Sequence, residues 1–136
     1  MRFASMFTFL QRSVVQFLGP YIAQGAIVVT QPQSVSLVDV RKEIAFCRTV
    51  KLKILGLIEN MSGFVCPHCS ACTNVWGSGG GEALSKELEI AFLGRIPIDP
   101  NVAKQCDVGT VADILSEGVK AAWEGIVESV MKAMEE

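Results

Sequence analysis

Three of the chain's five cysteines lie three residues apart in one short stretch, Cys66-Pro67-His68-Cys69-Ser70-Ala71-Cys72. A proline at the second position favours a turn over Cys66 to Cys69, and the first and fourth residues of a β-turn bring their Cα atoms within about 7 Å. Two sulfurs at that separation can share one metal ion or one face of a cluster. A thiol becomes a ligand by losing its proton, and a bound cation favours that loss. With His68 the three cysteines make nominally four zinc ligands, although a side chain inside the turn is expected to point away from the flanking sulfurs. A dithiol redox pair fits the context less well, because such pairs sit at a helix N-terminus after a strand and this stretch follows a loop. Cys72 reads as an auxiliary ligand or a bystander. Cys47 falls on an apolar helix face and is expected in the core, and Cys106 receives no role.

The flanking sequence must hold these thiols in place. Val14, Val15, Leu18 and Ile22 recur at helical spacing, with Gly19-Pro20 as a kink. Gly25-Ala26-Ile27-Val28-Val29-Thr30 is an unbroken apolar run, as in a strand buried on both faces of a parallel sheet. After the Gln31-Pro32-Gln33 loop, Ser34 or Ser36 is the expected cap of a helix reaching about Arg48, with Leu37, Val40, Ile44 and Cys47 on one face. Ile54-Leu55-Gly56-Leu57-Ile58 reads as a second strand, with residues 59–63 as the loop at its end. An irregular insert follows, then a helix over 82–89 and a third strand over 92–96. A loop then carries Pro97, Asp99 and Pro100, and one or two amphipathic helices span 110–134. This order predicts an α/β fold, a parallel sheet joined by βαβ crossovers and covered by helices on both faces. Ligands bind such sheets at the C-terminal ends of the strands, where the loops at Gln33, Asn60 and Asp99 fall. Three strands leave an open edge, so the chain reads as part of a larger sheet.

With 136 residues, half of them apolar and 19% charged, the chain has the composition of one globular domain. Its net charge of −2 and lack of a basic patch argue against nucleic acid, and no apolar run is long enough to span a membrane. Clustered cysteines in odd number argue for free thiols in a reducing compartment rather than a disulfide framework, which points to the cytoplasm. The first acidic residue is Asp39. Acid-poor starts of this kind occur in mitochondrial transit peptides, so a mitochondrial location stands as the alternative to a buried helix that lacks acids. Gly77, Gly79, Gly80 and Gly81 precede a helix, where an anion could bind. They follow no strand and lack a Gly-Lys, so a flexible connection or a tight helix entry is expected. Trp76 and Trp123 are expected to be packing residues.

Several blocks carry a resemblance: Gly25-Ala26-Ile27-Val28-Val29-Thr30, Pro32-Gln33, Asp39-Val40-Arg41-Lys42, Gly56-Leu57-Ile58-Glu59-Asn60-Met61-Ser62-Gly63-Phe64, Cys66-Pro67-His68-Cys69, Gly79-Gly80-Gly81-Glu82 and Leu93-Gly94-Arg95-Ile96-Pro97-Ile98-Asp99-Pro100. Together they resemble the C-terminal half of the Mrp/NUBP family, P-loop ATPases that act as scaffolds for iron–sulfur cluster assembly. The cysteine segment looks most like that of the family's shorter cytosolic scaffold subunit. The resemblance covers residues 13 to about 110 and leaves 1–12 unmatched. It implies that 13–136 form the C-terminal half of such a domain, with a cysteine-containing insert at 64–81. The fold it implies is a partial P-loop NTPase-type parallel sheet flanked by helices, with the N-terminal half missing. The family's Gly-rich loop ending in Gly-Lys-Ser/Thr has no counterpart, since no lysine here follows a glycine. ATP hydrolysis by this chain alone is therefore not expected. Gln31 stands where the family usually has a threonine.

By that resemblance Cys66 and Cys69, with Cys72 as auxiliary, are ligands of a labile [4Fe–4S] cluster destined for apo iron–sulfur proteins. Such a cluster takes four thiolates, and a two-fold dimer presents two cysteines twice. The partner would be a second copy or another Mrp/NUBP-type scaffold subunit. Asn60 is implied to contact the adenine of ATP, with Pro97 and Asp99 closing the other side of the base. Taken alone, Asn60 reads as a turn residue that bonds its own backbone. The alternatives are a zinc-stabilised interaction module, or an inactive truncated form that binds the full-length scaffold.

Overall fold

The β-branched run at 27–30 suits a pleated strand, and it forms β1 (Ala26–Thr30). In the computed structural model the described residues are 17, 25–65, 72–100, 102, 107–109 and 117–135. The helix expected around Val14 to Ile22, and Cys66, His68, Cys69 and Cys106, lie outside them. After β1 come α1 (Ser34–Thr49), β2 (Ile54–Val65), β3 (Cys72–Thr73), α2 (Gly80–Glu87), β4 (Phe92–Ile98) and α3 (Glu117–Glu135).

β2 is the middle strand. β1 runs parallel on one side with Thr30 against Glu59, and β4 runs parallel on the other with Asn60 against Ile96. The short β3 pairs antiparallel with the far end of β2, Phe64 opposite Thr73 and Val65 opposite Cys72. Phe64 also pairs with Ile98. A strand residue has one neighbour on each side, so β3 prolongs the β1 side of the sheet beyond Thr30.

Successive side chains of a strand point to opposite faces. On one face Val28 and Leu57 meet Val40 and Ile44 of α1 and Leu84 of α2. On the other, Ile58 and Leu93 meet Ile126 of α3. The buried residues of α1, Val40, Ile44 and Cys47, repeat at i, i+4, i+7 and make one apolar stripe. Burial pushes the Cys47 thiol above its ordinary pKa, as expected of a core cysteine. Two contacts tie α1 to α2. The Arg41 guanidinium donates to both Glu87 oxygens at 2.6 Å, and Arg48 donates to the Leu88 carbonyl at 2.6 Å.

The structure departs from the sequence-based expectation in five places. β2 does not stop at Ile58; residues 59–63 form a bulge within it. Register with β4 jumps between Asn60 and Phe64, and Met61 and Gly63 take φ of 56° and 85°. A bulge absorbs turn-favouring residues without ending the strand. Neither Ser34 nor Ser36 caps α1, because Gln33 holds that position and makes no side-chain cap bond. Pro97 belongs to β4 rather than to a loop. Among the described residues β4 has a partner only on its β2 side, so a proline there need not break a ladder. β3 adds a fourth strand to the three that were expected. Trp76 and Trp123 remain 49% and 41% exposed, so neither is a core packing residue.

Leu57 has 0% exposure, and Leu57→Ala is expected to lower stability by about 2–5 kcal/mol in urea unfolding. Val38, on the outer side of α1 and 54% exposed, is the control, with an expected change within about 0.5 kcal/mol for Val38→Ala.

Candidate metal hairpin and strand-end cleft

Phe64-Val65 leads out of the sheet and Cys72-Thr73 leads back, so the pairs Phe64–Thr73 and Val65–Cys72 close a hairpin around residues 66–71. Cys72 is itself a member of the closing pair, and Cys66 is the residue next to its partner. Of the three thiol positions, the structure describes only the backbone of Cys72. Among the described residues no three His, Cys, Asp or Glu side chains gather into a metal-binding group, and Cys66, His68 and Cys69 lie outside those residues. Their chemistry suits a soft metal. Residues 60–78 contain three cysteines and one histidine and no Asp, Glu, Lys or Arg, so no carboxylate is offered to a hard cation.

The returning strand has little to rest on, since residues 73–78 are all exposed. A turn donates Val75 N–H to the Thr73 carbonyl at 3.0 Å, and Val75 and Gly77 form an isolated bridge. Firm attachment comes at Glu59, in the middle of the sheet and with 0% exposure. Its Oε1 accepts from Ser62 Oγ at 2.5 Å and from Gly79 N–H at 2.9 Å, and its Oε2 accepts from Gly81 N–H at 2.5 Å. Arg95 Nε stands 3.5 Å from Oε1. A carboxylate at a helix N-terminus meets unpaired N–H groups and the positive end of the helix dipole, and here α2 supplies both. Two glycines permit this approach. Gly79 takes φ of 83°, and a Cβ on Gly81 would lie 2.9 Å from Thr30 Cγ2 and 3.1 Å from Glu59 Cβ. The glycine run is thus a tight helix entry, and its anion is the protein's own carboxylate.

Sequence reasoning passed over Glu59. The signal was an acid at the end of an unbroken apolar run, with no lysine or arginine beside it in sequence. Arg95 completes the arrangement. It donates to Glu82 Oε2, and its guanidinium lies 5.5 Å from the centre of the Phe92 ring.

Asn60 lies on β2 next to Glu59 and is half-buried. Its Oδ1 accepts from Met61 N–H at 2.9 Å, the local turn role that an asparagine can fill. It also lines an open cleft of about 280 Å³ with Val29, Thr30, Gln31, Ser36, Asp39 and Val40, at the C-terminal end of β1 and beside the middle of β2. Pro97 follows Ile96, the β4 partner of Asn60. Asp99 is the first residue after β4, and its carbonyl accepts from Val102 N–H at 3.1 Å. The structure thus places Pro97 and Asp99 at the end of β4, and Asn60 within β2 opposite Ile96, just before the register shift that leads to Phe64.

Comparison with known proteins matches residues 10–133 to the family described as "ParA: NUBPL iron-transfer P-loop NTPase". The chain is 55% identical over 105 residues to the cytosolic Fe-S cluster assembly factor NUBP2 homolog of Nematostella vectensis, covering 76% of this chain and 39% of that relative. It is 47% identical over 118 residues to the cytosolic Fe-S cluster assembly factor CFD1 of Debaryomyces hansenii, covering 79% and 40%. The chain therefore spans about two-fifths of the length of the curated relatives it matches. Among solved structures, the nucleotide-binding protein from Archaeoglobus fulgidus in complex with ADP aligns with a TM-score of 0.60 at 34% identity, over 69% of this chain and 39% of that one. The cell division ATPase MinD of Pyrococcus furiosus shares the fold at a TM-score of 0.59 and 24% identity, over 79% and 42%. The sheet and its helices are thus of the P-loop NTPase class, as the family resemblance implied.

Lys86, hydrogen-bonded to Glu82 at 2.7 Å, and the Arg95 guanidinium hold the Glu82 carboxyl below the ordinary glutamate range. A lowered folded-state pKa gives stability that is present above the unfolded value and lost as pH falls through the folded one. Urea midpoints measured downward from pH 6 should fall less steeply in Glu82→Gln than in the unaltered chain, with the difference confined to pH below the ordinary glutamate range.

Proposed function

The chain belongs to the NUBPL iron-transfer P-loop NTPase family, and from that premise we propose that it takes part in iron–sulfur cluster assembly in the cytosol. It carries a labile [4Fe–4S] cluster as cargo. The observation that carries this reading is the pairing of Val65 with Cys72, which closes the segment bearing Cys66 and Cys69 within a stretch, 60–78, that contains no Asp, Glu, Lys or Arg. The relatives named above as cytosolic Fe-S cluster assembly factors support it. Those names give no support to a mitochondrial location.

Cys66 and Cys69 hold the cargo as thiolates, and Cys72 stands by as an auxiliary ligand. Two thiolates per chain and four per cluster call for a two-fold partner, either a second copy or another scaffold subunit of the same family. Exposed Val75 and Trp76, on the segment that follows β3, give such a partner an apolar footing. Transfer is ligand exchange: thiolates of an apo iron–sulfur protein replace Cys66 and Cys69 one at a time.

The strand-end cleft fits the base side of a nucleotide site. Asn60 faces it from β2, and Pro97 and Asp99 stand at the end of β4. The Archaeoglobus fulgidus protein in complex with ADP, at 34% identity, supports a nucleotide there, with ATP as the family-level ligand. This chain has no Gly-Lys and so supplies no P-loop lysine for the phosphates. It is not expected to hydrolyse ATP by itself.

The test is anaerobic reconstitution of the purified chain with iron and sulfide, followed by visible absorption and assays of iron, labile sulfide and zinc. About two irons and two sulfides per chain, one four-iron cluster per pair of chains, are expected. Both should be lost in the double variant Cys66→Ser, Cys69→Ser. Zinc near one per chain without a broad visible band would overturn the reading and leave a structural metal module.

A further inference from the structure

A charged side chain in the middle of a sheet is costly unless it is paired and hydrogen-bonded. Glu59 meets that condition with an unusual set of partners. Ser62, three residues along the chain, belongs to the bulge that leads out to the cysteine hairpin. Gly79 and Gly81 belong to the segment that leads back. The chain on both sides of residues 66–71 is therefore fastened to one carboxylate, and Arg95 Nε lies 3.5 Å from its Oε1. No apolar anchor takes its place on the returning arm, which is exposed from 73 to 78.

We infer that Glu59 is a positioning residue for the thiol hairpin: by clasping Ser62 on one arm and Gly79 and Gly81 on the other, it fixes the neck from which Cys66, Cys69 and Cys72 are presented to a thiophilic metal. The inference rests on the cluster-carrying reading for its metal and on geometry alone for the clasp. Groups that orient ligands from outside the coordination sphere commonly govern metal affinity by about 10- to 100-fold. Glu59 acts one step further back, on the backbone that bears the ligands. Glutamine has the same size but carries one acceptor oxygen and an NH₂ donor. It cannot accept from Ser62, Gly79 and Gly81 together, and its amide would face a backbone N–H. Alanine at 62 releases the outgoing arm alone and leaves Glu59 in place.

The experiment compares the full chain with Glu59→Gln and Ser62→Ala in two measurements. The first is anaerobic titration with cobalt(II), read by its thiolate charge-transfer absorption. The expected result is affinity weakened by about tenfold or more in Glu59→Gln, with a smaller loss in Ser62→Ala. The second is amide hydrogen exchange on the metal-free chain. Exchange at Thr73, Gly79 and Gly81 should accelerate in both variants, while β1 and the buried face of α1 keep their rates. Unchanged cobalt affinity in the folded variants would overturn the inference, as would acceleration spread evenly over the sheet. If Glu59→Gln fails to fold, Ser62→Ala decides by the same two readings. If the unaltered chain takes up no cobalt, the cluster-carrying reading fails by itself and exchange alone judges the clasp.

Discussion

A carboxylate taken wholly out of water has to be answered by donors, and the donors that answer Glu59 decide where several parts of this chain go. The helix α2 starts where it does because its first N–H groups reach that carboxylate. The glycines at its start are required by the closeness of that contact. The bulge in β2 turns Ser62 back onto the same side chain. Arg95, opposite Glu59 in the neighbouring strand, brings a cation to the same place and carries Glu82 with it. Strand, helix entry, bulge and hairpin neck converge on one buried charge.

The remaining architecture is conventional α/β packing. Leu57 and Ile58, adjacent in sequence, serve the two cores on opposite faces of the middle strand. The α1–α2 face is sealed across β1, β2 and β4. The α3 face is not: Ile27 and Val29, alternating with the buried Val28, are half-exposed, and Trp123, Val127 and Met131 run exposed along α3. Among the described residues, then, α3 covers β2 and β4 and leaves the second face of β1 open.

Elements governed by local chemistry were legible in the sequence. The apolar run at 26–30 and the stripe of Val40, Ile44 and Cys47 became β1 and the buried side of α1 with nearly the expected bounds, and the alternation of elements gave the fold class. What was missed depends on distant partners. Asn60, Met61, Ser62 and Gly63 are turn formers by type, and pairing of the residues beyond them, Phe64 with Ile98 and with Thr73 and Val65 with Cys72, keeps them inside a strand. Pro97 reads as a strand breaker until the one-sided pairing of β4 is seen. Glu59 looks like the first polar residue of a loop, because nothing local tells that donors 20 and 22 residues away will meet it. The placing of Pro97 and Asp99 at the end of β4 followed from topology, and no local pattern could have given the closure of the hairpin by Val65 and Cys72.

That closure has an entropic consequence. Bringing the ends of a free loop together costs conformational entropy that grows slowly with its length. Pairing at Val65 and Cys72 meets that cost when the protein folds, before any metal arrives. On the proposed reading, a metal then meets cysteines on a segment whose ends the fold already holds together. Cysteines this near one another in sequence are also open to attack by one sulfur on another. On the proposed reading an oxidant competes with iron for the same cysteines, and the segment carries its cargo only where reducing equivalents keep them as thiols.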